Sequence, residues 1–162
     1  MQKVRQNEHA MDLDAFDRKI LALLQTNNRM PQRAISYAVN LSSSAVNRRI
    51  AAMESAGVIT SYTALVCPAL VGRPITVIVE VTLETERLDL LDAAKQRFAA
   101  HPCVQQLYYV TGDIDFVLII NVADMAEYER LTRSLFFSGD NVKKFKTLVA
   151  MGAVKVTLNV VV

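Results

Sequence analysis

Two groups of residues in this 162-residue chain have side chains of the right type and spacing to do chemistry. The first is Ser42, Ser43, Ser44, Asn47, Arg48 and Arg49, within LSSSAVNRRI. Ser44, Asn47 and Arg48 are three and four apart, so a helix puts them on one side. Arginine bonds guanine through two parallel bonds, asparagine bonds adenine, and serine reaches bases or phosphates. A helix with that set at its N-terminal end suits the major groove of DNA. Phosphate contacts from Arg33, Arg48 or Arg49 would set affinity and its salt dependence.

The second group lies in YYVTGDIDFVLIINV, where Gly112, Asp113 and Asp115 follow Thr111. Gly112–Asp113 between alternating runs reads as a two-residue hairpin turn. Asp115 falls within the apolar run after it, on one face with Val117 and Ile119. A carboxylate there needs a partner. That partner is a donor on a second chain or the ammonium of a ligand. Backbone N–H groups at Gly112 and Asp113 suit the carboxylate of a small zwitterion.

Other residues offer less. His101-Pro102-Cys103 is the only close His/Cys grouping, and two histidines with two cysteines give no ligand pair at zinc spacing, so no metal is expected. Cys67 reads as a small apolar filler. No glycine-rich phosphate loop and no Ser/His/Asp grouping is visible, so neither an enzyme nor a cofactor is expected. Lys143, Lys144 and Lys146 read as lysines guarding a sheet edge.

The elements that must position these residues come in two textures. In DLDAFDRKILALLQ the apolar residues Leu13, Phe16, Ile20, Leu23 and Leu24 recur at helical spacing, with Asp12 or Asp14 as cap. A second helix spans about 31–39 with Pro31 in its first turn. Asn40-Leu41 is a tight corner, and Ser42 or Ser43 caps a third helix in which Val46, Ile50 and Met53 share a stripe. Gly57 stops it, and VITSYTAL begins extended structure. Three short helices with a tight turn before the last are a helix-turn-helix pattern.

The second texture is β-rich. ITVIVEVTLE alternates, with Ile75, Val77, Val79, Val81 and Leu83 on one face. A helical period at 87–100 follows, then strands at 103–111 and 114–122, a helix at about 124–137, and β segments at 143–151 and 153–162. The order β-α-β-β-α-β is the ferredoxin-like arrangement, with one strand added. Its helices cover one sheet face. Ile78, Val117 and Ile119 fall on the other and are too apolar to stay wet, so a second copy of the chain is the simplest cover. The expected division is a flexible tail at 1–11, a DNA-binding domain at 12–63, a linker at 64–73 and an effector-binding, oligomerising domain at 74–162.

Composition agrees. Apolar residues make up 52% of the chain, enough for a core. No window reads as a membrane span, and MQKVRQNEHA lacks the apolar run of a secretory signal, so a reduced, cytoplasmic location is expected. Residues 1–63 hold eight Lys/Arg against five Asp/Glu, and the remainder ten against eleven. A basic first part joined to a near-neutral second suits a nucleic-acid module attached to something else.

LDAFDRKILALLQ, LSSSAVNRRIAAMESAGVITSYTALVCPALVG and VTGDIDFVL occur in that order and at the right separations. Together, over about residues 12–160, they resemble the Lrp/AsnC (feast/famine) family of transcriptional regulators. The resemblance implies an α+β protein, with an N-terminal winged helix-turn-helix and a C-terminal ferredoxin-like βαββαβ ligand-binding domain. It implies a nucleoid-associated homodimer that assembles to a tetramer or octamer and binds a pseudo-palindromic operator in double-stranded DNA. It also implies an effector, an amino acid, held between dimers by Thr111, Gly112, Asp113, Asp115, Thr147, Val149 and Met151. By motif match, Ser42 to Arg49 face DNA while Ile50 and Met53 hold the helix to its core. Asn40 stands where the family usually has glycine, and asparagine tolerates the left-handed conformation needed there. Ala51 and Ala52 stand where many members are basic, which puts more weight on Arg48 and Arg49. The family fold has one enzymatic branch, the sirohaem decarboxylases, which rely on pocket histidines; here the candidates are His9 and His101.

Overall fold

The computed structural model describes residues 11–139 and 141–162. Contacts gather them into two units, residues 11–64 with Val156–Val162, and Leu65–Lys155. His9 and the expected tail at 1–10 lie outside the described residues. Met11, placed with that tail by the sequence reading, packs against the core of the first unit.

Three helices build the first unit: α1 (Ala15–Thr26), α2 (Gln32–Val39) and α3 (Ser43–Ser55). Asp14 caps α1 by accepting the N–H groups of Phe16 and Asp17, while the Asp17 carboxylate returns a bond to Asp14 N–H, a reciprocal capping box. α2 ends at Asn40, whose φ of +55° puts it in the left-handed region as the corner requires. Ser42 caps α3 by accepting from Ala45 N–H at 3.2 Å. Ile20, Leu21, Ile35, Val39, Val46 and Met53 form the core.

The α1 stripe differs from the sequence reading. Asp17, Ile20 and Leu21 turn inward, and Phe16 lies on the flank, 39% exposed. After Gly57, residues 58–67 form no ladder. Tyr62 instead donates its hydroxyl to Glu54 at 2.8 Å. Burial, then the Glu54 bond, pushes the phenol up to about 12.

The second unit follows the expected order: β1 (Ile75–Leu83), α4 (Leu88–Ala100), β2 (Val104–Tyr109), β3 (Phe116–Val122), α5 (Met125–Thr132) and β4 (Val142–Val149). A wider π turn, Arg133–Phe137, extends α5. The antiparallel sheet runs β2-β3-β1-β4. Val77, Val79 and Val81 from β1 and Phe116, Leu118 and Ile120 from β3 meet Leu91, Phe98, Tyr128 and Leu131 from the helices. Phe98 stands edge-on to Phe116 at 5.5 Å and to Phe136 at 5.7 Å. On the opposite face, register aligns Tyr108 with Val117 and Ile78 with both Ile119 and Leu148. Asn121 donates to Thr76 there, and Lys146 pairs with Glu80 at 3.4 Å.

The fifth strand expected at 153–162 does not form. Val160 takes its backbone bonds from the Gln25 side chain of α1 and not from a neighbouring strand. Ala150 N–H bonds Thr76 O, and Val156–Val162 groups with the first unit rather than with the domain expected at 74–162.

Candidate functional site: a helix face and a strand-end turn

On α3 the structure separates residues that the sequence grouped. Ser44, Asn47 and Arg48 are exposed. Asn47 and Arg48 make no hydrogen bond or ion pair among the described residues, so their polar groups are open to a ligand. Ser42 and Ser43 are exposed too but carry local bonds: the hydroxyl of Ser42 meets that of Ser44 at 3.0 Å, and Ser43 meets Ser36 of α2 at 3.3 Å. That last bond joins the two helices across the corner. Arg33 lies on α2 with its guanidinium 5.7 Å from the Tyr37 ring, and Tyr37 is 70% exposed.

Arg49 departs from its expected role. Its Nη1 lies 2.8 Å from both Asp14 Oδ2 and Asp17 Oδ1, and its guanidinium sits 5.5 Å from the Phe16 ring. The bond to Asp17, then that to Asp14, raises its already high pKa. The N–H of Asp17 foremost, with help from Arg49, holds the Asp14 carboxyl below its usual range. Arg49 is therefore a strut between α3 and the first turn of α1, not a free phosphate contact. A nearly buried Asp17 needs a cation, and Arg49 is the cation within reach. The sequence carried a partial signal: Asp17 falls among the apolar residues of α1, on the side that turns inward, and an acid there needs a cation.

The turn in the second unit is also rebuilt. Strand pairing stops at Tyr109 and Phe116, and Val110 N–H to Asp115 O closes a four-residue loop, 111–114, in place of the expected two-residue turn. Gly112 has φ of +119°, where a side chain would strain the backbone. Thr111, Gly112 and Asp113 are exposed. Asp115 precedes β3. Its N–H bonds Val81 O, and its Oδ2 accepts Leu83 N–H at 2.7 Å. The partner that Asp115 required is thus a backbone amide of its own chain, beside the β1/β4 irregularity at Thr82/Leu83.

The remaining expected effector residues do not converge on that turn within one chain. Val149 pairs with Val77, four residues along β1 from Val81, so it lies about 13 Å along the sheet and about 10 Å across from β3. The hydroxyl of Thr147 meets that of Tyr128 at 2.6 Å on the helix-covered side. Met151 is fully exposed beyond the strand.

A shallow cavity of about 260 Å³ on the helix side is lined by His101, Cys103, Glu127, Arg130, Leu131 and Ser134. Glu127 is engaged there by Arg73 at 2.6 Å and by Ala123 N–H at 2.7 Å. His101 Nδ1 accepts Cys103 N–H at 3.2 Å, a local backbone bond. Burial foremost raises the Cys103 thiol, which disfavours a reactive thiolate. Both cysteines are free. Among the described residues no three His, Cys, Asp or Glu side chains gather as a metal site, and no helix is long and apolar enough to cross a membrane.

Residues 13–60 match the model described as winged helix-turn-helix DNA-binding, and residues 76–160 match the Lrp/AsnC ligand binding domain. The chain is 43% identical to an uncharacterized HTH-type transcriptional regulator of Sinorhizobium fredii, over 94% of this chain and 90% of that one. It is 37% identical to the leucine-responsive regulatory protein of Haemophilus influenzae, over 90% and 87%. A transcriptional regulator of Neisseria meningitidis, solved as a complex with L-Met, superposes with a TM-score of 0.86 at 26% identity, covering 92% of this chain and 96% of that one.

Proposed function

As a member of the Lrp/AsnC family of transcriptional regulators, the chain has a DNA-binding and a ligand-binding domain, and we propose that it is a one-component switch whose operator binding responds to an amino acid. The observation that carries the DNA half is the exposed, unpartnered pair Asn47 and Arg48 beside Ser44 on α3. Ser42 and Ser43 set the helix start and lend hydroxyls to phosphates. Two copies related by a two-fold axis present two such helices to a pseudo-palindromic site. The open sheet face, with Ile78, Val117, Ile119 and Leu148, is the surface through which the copies pair, and dimers assemble further to tetramers or octamers. The protein acts in the cytoplasm on the nucleoid and catalyses no reaction.

The amino-acid half rests on the turn. Its exposed loop with Gly112 at positive φ offers N–H groups to a carboxylate, and Asp113 with the second oxygen of Asp115 faces the ammonium. Thr147, Val149 and Met151 come from a neighbouring chain, since one chain holds them too far away. The names of the leucine-responsive relative and the L-Met complex support an amino acid as ligand. An effector changes the equilibrium only by binding one assembly better than another. Calorimetry against the twenty amino acids, repeated on operator-bound protein, tests this. Heat with one or a few related amino acids is expected. No heat with any of them, in either state, refutes the amino-acid reading.

A further inference from the structure

The C-terminal residues lie against α1 by an arrangement that the switch above does not use. Gln25, in the last turn of α1, meets Val160 as a strand partner would: its Nε2 donates to Val160 O at 3.0 Å, and its Oε1 accepts Val160 N–H at 2.7 Å. Asn159 Nδ2 adds a bond to Gln25 O at 3.2 Å. Val162 packs on the helical core. One side-chain amide thus meets both polar groups of Val160, as a neighbouring strand would.

We propose that Val156–Val162 is a strap, clasped by Gln25, through which the end of β4 is coupled to α1 and hence to the recognition helix. α1 carries the clasp at its C-terminal end and, at the other end, Asp14 and Asp17, which hold Arg49 of α3. Twelve helical residues make it a rod roughly 18 Å long. Upstream, Ala150 N–H is fixed to Thr76 O at 2.9 Å. Residues 151–155 then span at most about 18 Å when fully extended, a short tether that bounds how far the strap and Ala150 can part. The regulatory meaning of the strap rests on the function proposed above; the coupling itself does not.

Hydrogen exchange on the full chain, without DNA or effector, tests the coupling. Gln25→Ala should speed exchange of the Val160 amide by about twofold to tenfold, the worth of one net hydrogen bond, and that of the last turn of α1 with it. Gln25→Glu keeps the acceptor and should fall between. Ala150→Pro removes the bond at the exit of β4; it should speed exchange in α1, and the effect should shrink when combined with Gln25→Ala. Unchanged amides in α2 and β3 establish that both units of each variant are folded, and Gln25→Glu serves where Gln25→Ala is not. Val160 exchange that ignores both Gln25 variants overturns the clasp. An Ala150→Pro effect on α1 that is absent, or that persists undiminished without Gln25, overturns the coupling. Salt-dependent DNA affinity of the same samples judges the proposed function separately.

Discussion

Arg48 and Arg49 are neighbours in sequence with opposite expected effects on DNA binding. Arg48 is exposed on α3 with no acid partner among the described residues, whereas Arg49 is bonded to two carboxylates at 2.8 Å. Each phosphate neutralised contributes about 0.9 to the slope of log affinity against log salt. From about 50 to about 200 mM salt, a fourfold change, one contact therefore accounts for about a 3.5-fold loss of affinity. Arg48→Ala in each subunit of a dimer should flatten the slope by about two units if both guanidiniums meet phosphate. If they meet guanine instead, the slope should hold and discrimination should fall by about 1–3 kcal/mol per half-site. Arg49→Ala leaves Asp17 nearly buried without its cation, so the helical unit should melt at lower temperature while the folded fraction keeps the parent slope. Fluorescence anisotropy on labelled duplex across that salt range, with a melting curve for each variant, reads both. Arg49→Ala that flattens the slope with unchanged melting would refute the strut, as would Arg48→Ala that alters neither slope nor discrimination.

Three further expectations follow from the same geometry. Asp115→Asn retains an oxygen for Leu83 N–H, so stability should hold while affinity for the effector falls; Asp115→Ala should also lose about 1–2 kcal/mol of stability in denaturant unfolding. Equal stability loss in both variants would contradict that split. Ile119→Asp on the open sheet face should reduce the oligomer measured by light scattering, and a particle of parental mass would refute pairing through that face. The Asp14 carboxyl has its pKa lowered by folding, so its stabilisation is complete above the unfolded value near about 3.9 and is lost as pH falls through the folded value. Helicity by circular dichroism should then decline in acid, and Asp14→Asn, a good cap without charge, should weaken that decline; an identical acid profile in the variant would remove Asp14 as its cause.

The helices and strands were legible because each buries one side, and burial prints a period on the sequence. Asn40 was legible as a corner because few residues accept its φ of +55°. Three things were not. The fifth strand failed because alternation in 153–162 reports apolar spacing but not a partner, and the partner is one glutamine side chain on α1. The four-residue loop was read as two residues because the alternation runs on to Gly112, whereas the β2/β3 bonds end with Val110 N–H to Asp115 O. Arg49 was placed with Arg48 because helical spacing assigns a face only to within a residue. Which of two adjacent arginines turns inward is decided by Asp17, thirty-two residues away in sequence. Of the expected effector residues, 111–115 lie together in one chain and 147–151 lie apart, and sequence order carries no trace of that separation.

Selection of bound duplexes from a random-sequence pool, with and without the amino acid found by calorimetry, tests the central claim most directly. The account predicts enrichment of a two-fold-symmetric sequence with half-sites about one helical turn or a multiple apart, lost in Asn47→Ala/Arg48→Ala, and enriched to a different extent when the amino acid is present. A pool that stays random, or an enriched sequence that the double variant binds as well, would contradict it.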